Sequence, residues 1–417
     1  MFGAGGAKTL VAGGKKGAPS LTWLTLPEGY CAHYFANVPT ARQIRFAPGG
    51  ELFAASPSTL TAGGAPAGLG AIVVLFDDDR DGYADGDTLP HADGGPPNLS
   101  RFLDNDPTVQ GLLFANDSFY YQGSPAGSTA GTSIFKLPYK SGQRSATGTP
   151  ETLAIIAYDG MTGGPATHWP KTLDIADDGT IYVGNGGEQG DPCTAALPRP
   201  FLGGILKIGG AGDPLVGTPV ARGFRNPIAV RCQRGHNLCF SLELGLDGSG
   251  PIGREKLVPI RQGDDWGFPC CATTNVPLFG TFSDGGLPNC SGVAPESVSF
   301  VIGDTPFGVD FEPGLWPAPY KKSIFVATHG EVGSWIGARV VAIPTQSNGM
   351  PVASSDLDSS MGLTDFVKGW PTSAGPQPQG RPAAVAFSTD GRLYVANDQD
   401  GDIFWIAPIG VGGGGDR

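Results

Sequence analysis

The sequence predicts an all-β fold, a six-bladed β-propeller. Three observations carry this: a composition hostile to helices, a hairpin that recurs six times, and intervals between copies with room for four strands. The 417 residues include 67 Gly and 38 Pro, about a quarter of the chain, and neither residue sits comfortably inside a helix. Disorder does not follow, because 40% of the residues are apolar and 22 are Phe, enough to fill a core. The surplus Gly and Pro therefore belong to turns.

The repeated unit is a short alternating apolar run, a turn containing Gly, Asp or Asn, and a second apolar and aromatic run. Its first copy is Ile44-Arg45-Phe46 with Leu52-Phe53-Ala54, and its second is Leu112-Leu113-Phe114 with Ser118-Phe119-Tyr120. The third, Leu173-Asp174-Ile175 with Ile181-Tyr182-Val183, turns on Asp178-Gly179. The sixth, Val385-Ala386-Phe387 with Leu393-Tyr394-Val395, turns on Asp390-Gly391. Weaker copies are Ile228-Ala229-Val230 with Leu238-Cys239-Phe240, and Val309-Asp310-Phe311 with Ile324-Phe325-Val326. Copies recur every 55 to 80 residues or so, which leaves space for two more strands in each interval. Ala71–Leu75, Ser133–Leu137, Gly204–Ile208, Arg339–Ile343 and Ile403–Ile406 supply some of them. Six radial sheets close on themselves and leave only short edges. The expected parse is a leader at 1–19, disordered, one propeller over 20–408 and a flexible Gly-rich tail at 409–417; a pair of β-sandwiches is the alternative.

With 27 Lys and Arg against 39 Asp and Glu, the net charge is −12. That balance argues against nucleic acid and anionic membrane as partners. No apolar run is long enough to span a bilayer. Seven cysteines without CxxC spacing argue against a zinc site and for disulfides. Cys232 and Cys239 flank a turn and suit a clip across a hairpin, with two buried thiols as the other reading. The vicinal Cys270-Cys271 reads as two cysteines paired elsewhere before it reads as a ring disulfide. Disulfides and an acidic chain together favour a periplasmic or secreted location.

In a propeller, loops at one mouth of the central channel converge, so a site there takes single residues from several blades. Polar residues flanking the repeated hairpins are the candidates. His168 precedes the third hairpin and is a candidate general base, since imidazole titrates near neutral pH. Glu188, at the far end of that hairpin, is a carboxylate able to orient it. Arg225-Asn226-Pro227 opens the fourth hairpin and Arg381-Pro382 the sixth; guanidinium forks at two such places in an acidic chain fit an anionic ligand, with surface salt bridging as the plainer reading. Gly245 permits a turn that aims carbonyls at a hard cation such as calcium. Asp77, Asp79 and Asp81 occupy positions 1, 3 and 5 of a calcium loop, with Gly82 at position 6. Position 12 is Thr88 in place of Glu, so a solvated acidic turn remains open.

These residues resemble the soluble quinoprotein sugar dehydrogenases, the six-bladed glucose, aldose and sorbosone dehydrogenase-like proteins that use pyrroloquinoline quinone (PQQ). The likeness rests on Leu26-Pro27-Glu28-Gly29-Tyr30; Gln110-Gly111-Leu112-Leu113; His168 with Asp178-Gly179-Thr180-Ile181-Tyr182; Gly223-Phe224-Arg225-Asn226-Pro227; Trp266-Gly267-Phe268-Pro269; and Gly380-Arg381-Pro382. The resemblance implies PQQ and Ca2+ as cofactors and a sugar or related alcohol or aldehyde as substrate, with electrons passed on to an acceptor it does not identify. It implies His168 as the base, Arg225 and Asn226 on the quinone oxygens, and Arg381 on a cofactor carboxylate. The carbonyls of Gly245 and Leu246 would hold calcium, and Gln110 and Trp169 would lie near the sugar. Ala383 and Leu246 replace an Arg and a Pro of some members, and a fifth-blade Lys is replaced near His329. His329 and Arg339 are the candidates to take over that contact. Two other classes remain: a calcium-dependent lactonase or hydrolase propeller, and a non-catalytic binding propeller.

Overall fold

A computed structural model describes residues 2–3, 17–58, 67–92, 97–124, 133–156, 168, 172–186, 203–209, 217–247, 249–278, 288–331, 336–371 and 379–409. They form six large sheets, each built on four antiparallel strands, and a two-stranded hairpin of Cys271–Thr273 with Val276–Pro277; Phe2–Gly3 adds a fifth strand beside Tyr30–Asn37. Blade 1 runs Gln43–Phe46, Leu52–Ser56, Ala71–Leu75 and Arg101–Leu103; blade 2 runs Leu112–Ala115, Ser118–Gly123, Ser133–Pro138 and Glu151–Ile155. Blade 3 is Leu173–Ile175, Ile181–Asn185, Gly204–Ile208 and Thr218–Arg222. Blade 4 is Asn226–Gln233, Leu238–Leu244, Glu255–Pro259 and Val298–Phe300, with Ser354–Ser355 added in parallel. Blade 5 is Pro306–Phe311, Ile324–Thr328, Arg339–Ile343 and Thr364–Val367.

Blade 6 draws on both ends of this order. Pro382–Phe387, Leu393–Asn397 and Asp402–Pro408 are joined by Tyr30–Asn37, with Cys31 opposite Ala407. That pairing closes the ring. The first strand of each blade packs on the first strand of the next, through all six and back to blade 1. These inner strands run in one direction: Thr172 and Asp174 bond to Val230 and Cys232 two residues apart in blade 4, and Asp310 bonds to Phe387 of blade 6. The starts of all inner strands, and the ends of all second strands, therefore share one end of the ring, the mouth.

Hydrophobic clusters fill the spaces between blades, dominated by aromatics such as Phe53, Phe119, Phe240, Phe325 and Trp316. Midway along the inner strands the channel is bridged by charge. Arg45 Nη2 donates to Asp174 Oδ1 at 2.6 Å, Arg231 Nη1 to Asp174 Oδ2 at 3.1 Å, and Arg231 Nε to Asp310 Oδ1 at 2.9 Å. Two cations and two anions thus tie blades 1, 3, 4 and 5 together across the axis.

Cys232 and Cys239 form the expected disulfide; they are directly opposed in the blade 4 hairpin, with Cα atoms 3.9 Å apart. Cys271 pairs with Cys290, so the vicinal cysteines are not bonded to each other. Cys31 is a buried free thiol. No described helix is long and apolar enough to cross a membrane.

Candidate functional site

The mouth gathers most of the residues singled out from the hairpin flanks. Gln110, His168 and Arg225 stand at or just before the inner strands of blades 2, 3 and 4, Asn226 begins that of blade 4, and Arg381 stands before that of blade 6. All five are buried. His168 and Asn226 meet across Gly186: a Cβ there would collide with the His168 side chain and come within 3.1 Å of Asn226 Oδ1. The bare backbone at 186 lets the imidazole and the carboxamide share one corner. Trp169 and Glu188 lie outside the described residues.

Arg225 is fixed from several sides. Its backbone N–H donates to Glu243 Oε1 at 3.1 Å, its Nη1 to the Gly245 carbonyl at 2.7 Å, and its Nη2 to Asp247 Oδ2 at 2.8 Å. Glu243 is itself buried beside Lys256, whose Nζ lies 3.5 Å from Oε2 and donates to the Trp266 carbonyl at 3.0 Å. Burial raises the Glu243 pKa. Buried polar atoms at this side of the mouth with no hydrogen-bond partner among the described residues include Arg225 Nε, Asn226 Oδ1 and Gln110 Oε1, besides Glu243 Oε2, which has its ion pair with Lys256. Leaving such atoms dry and unmatched is costly, so they are marks of a ligand's place.

On the other side stands a charged cluster. Arg381 Nε donates to the His329 carbonyl at 2.8 Å and Nη2 to the Gly330 carbonyl at 2.5 Å. Asp398, at the end of the blade 6 hairpin, has Oδ2 2.9 Å from His329 Nε2 and 3.7 Å from Arg42 Nε. Arg42 lies over the Phe307 ring, 4.7 Å from its centroid. Burial pushes the His329 pKa down to about 4, with the Arg381 charge adding; the ring is neutral at pH 7. Burial also pushes Arg381 down to about 9, Asp398 opposing and Arg42 reinforcing. Two desolvated guanidiniums thus stand about one carboxylate, a setting that suits an anionic ligand. Arg42 and Asp398 went unnamed in the sequence, although they flank hairpins as Arg225 and Arg381 do.

Arg339 is placed differently. It sits on the third strand of blade 5, where it makes a two-pronged contact with Asp304 at 2.9 and 3.0 Å and also binds Asp356 and Asp365. Its guanidinium is committed to three carboxylates.

The two proposed calcium positions differ in fit. At Gly245 and Leu246 the carbonyls are taken: the first accepts from Arg225, the second from Ser249 Oγ at 2.6 Å and Ser249 N–H at 3.2 Å. A cation does not fit there in this arrangement. Asp77, Asp79 and Asp81 each bring one carboxylate oxygen within 4.8 Å of the others. They follow the third strand of blade 1, at the base of the ring away from the mouth.

Residues 288–408 match a family model described as TrAA12-like. No curated protein matches the chain. Among solved structures, the chain is similar to a calcium structure of a Trichoderma reesei AA12 carbohydrate-active enzyme, with 17% identity, TM-score 0.66, and 94% of this chain covering 99% of that one. It is similar to the holo form of the PQQ domain of Coprinopsis cinerea pyranose dehydrogenase, at 16% identity and TM-score 0.67, 94% of this chain covering 98% of that one. It is also similar to the apo-form soluble aldose sugar dehydrogenase of Escherichia coli, at 13% identity and TM-score 0.59, with 91% and 99% covered. The likeness extends over nearly the whole length of each and supports the six-bladed β-propeller fold.

Proposed function

We propose that this chain is an oxidoreductase that oxidises an aldose sugar, or a related alcohol or aldehyde, with PQQ bound at the mouth. The observation that carries the reading is the pairing of unmatched buried polar atoms beside His168 with the buried guanidiniums of Arg42 and Arg381 at the same mouth. Carboxylates and quinone oxygens answer the guanidiniums, Arg225 Nε included, and sugar hydroxyls answer the acceptors Asn226 Oδ1 and Gln110 Oε1. When bound, such a group supplies two-electron acceptance of hydride from the sugar C1.

The chain's own residues then have distinct tasks. His168 takes the proton of the C1 hydroxyl, and Glu188 holds its tautomer. Arg225 and Asn226 present donors to the quinone oxygens, and Arg225 stabilises negative charge that develops on reduction. Arg381, together with Arg42, holds the carboxylates. Gln110 Oε1 accepts from a sugar hydroxyl, with Trp169 alongside. Calcium, in this reading, belongs to the Asp77, Asp79 and Asp81 loop in a structural capacity, and no step runs through it. The disulfides Cys232–Cys239 and Cys271–Cys290 fit a secreted or periplasmic setting.

The test is reconstitution of the apo-protein with PQQ, with and without calcium, followed by dye reduction with a panel of aldoses. Quinone uptake and sugar-dependent reduction are expected. A folded protein that takes up no quinone would overturn the reading.

A further inference from the structure

At the base of the ring, away from the mouth, blades 1 and 6 enclose a cleft of ≈ 740 Å³, within the range of about 300–1,000 Å³ typical of ligand sites. Its walls come from the hairpin turns of the two blades and from the segment after the third strand of blade 1. One wall is aromatic: Phe35 and Phe46 each stand edge-on to Tyr394, with centroids 5.0 Å apart. Another is polar, with Asp77 and Arg392 side by side, Arg392 Nη1 lying 3.8 Å from Asp77 Oδ2.

Both residues are incompletely matched. Asp77 Oδ1 is buried with no hydrogen-bond partner among the described residues. Arg392 Nε lies 3.2 Å from Asp390 Oδ2 but makes no hydrogen bond. The cleft thus offers an acceptor and a donor on neighbouring side chains, beside aromatic rings. A cation held among Asp77, Asp79 and Asp81 would still leave the guanidinium unanswered, and an anion would answer only the guanidinium. A hydroxyl both donates and accepts, and neighbouring hydroxyls on an apolar ring face match the whole surface.

We infer that this cleft is a second, non-catalytic binding site for a neutral saccharide of more than one ring. The inference does not rest on the redox chemistry of the mouth. Thr389 is an exposed rim residue in the blade 6 turn, so Thr389→Trp fills the cleft without disturbing the core.

Cellotetraose, maltotetraose and xylotetraose, each titrated calorimetrically into the full chain, test the inference. At least one should bind saturably with a Kd of about 0.1–5 mM. Thr389→Trp should weaken that binding at least tenfold, Asp77→Asn should weaken it severalfold, and Arg225→Gln should leave it unchanged. No saturable binding with any of the three overturns the proposal. So does binding that survives Thr389→Trp but is lost in Arg225→Gln, which would put the sugar in the mouth. An unchanged thermal midpoint in Thr389→Trp separates loss of the site from loss of the fold.

Discussion

His329 Nε2 stands 2.9 Å from Asp398 Oδ2, joining the end of one blade's second strand to that of the next. The imidazole is held neutral at pH 7 because burial, aided by Arg381, lowers its pKa to about 4. An unfolded chain takes up this proton near pH 6.5. The contribution of the neutral ring to stability is therefore whole above pH 6.5 and is lost as pH falls toward 4, by up to about 1.4 kcal/mol per pH unit. Buried carboxylates such as Asp310, raised to about 6, shift stability the other way over the same range. Urea unfolding of wild type minus His329→Gln isolates the ring. That difference should fall between pH 6.5 and 4; a flat difference would contradict the burial argument.

His168→Ala should lower kcat by about 10²–10⁴ while leaving quinone binding intact. Stopped-flow reduction and a separate quinone titration check the two halves. An unchanged rate would place the base elsewhere.

Asp247 competes with any anionic ligand for Arg225, since it holds Nη2 at 2.8 Å from a position two-thirds exposed. Asp247→Asn should tighten PQQ binding about threefold to tenfold, as expected for losing one partly screened charge contact of roughly 1 kcal/mol. Weaker binding in this variant would mean that Asp247 positions Arg225 for the ligand.

Asp174 anchors two arginines across the channel, so Asp174→Asn takes from buried Arg45 the carboxylate it binds and leaves Arg231 with Asp310 alone. Equilibrium unfolding should show a loss of about 3–5 kcal/mol. Activity per folded molecule should not change, because the mouth is not touched.

The blades were legible because their turns announce themselves. Gly179 and Gly391 adopt φ of 87° and 85°, which an Asp-Gly turn supplies at no steric cost. The place of Arg225, Asn226 and Arg381 at one end of the ring was legible from the hairpin flanks, and Arg42 and Asp398 were within reach of the same rule. Less of the rest was legible, for physical reasons. Arg45, Asp174, Arg231 and Asp310 sit inside strands, where local sequence gives no hint that partners arrive from other blades. The carbonyl of Gly245 looked available because chain order says nothing of which guanidinium reaches it. The strand Tyr30–Asn37 bonds to a segment some 376 residues away, and a periodic pattern does not state which end completes which sheet.

Because that early strand completes the last sheet, vectorial synthesis leaves a growing, open arc whose two free borders wait for each other. Arg381 and Asp398 arrive only with the last segment, so a partly made chain lacks the guanidinium and carboxylate that the finished mouth sets beside His329. Cutting the chain ahead of Asp402 would remove the seam itself and leave both borders open to mispairing with other chains.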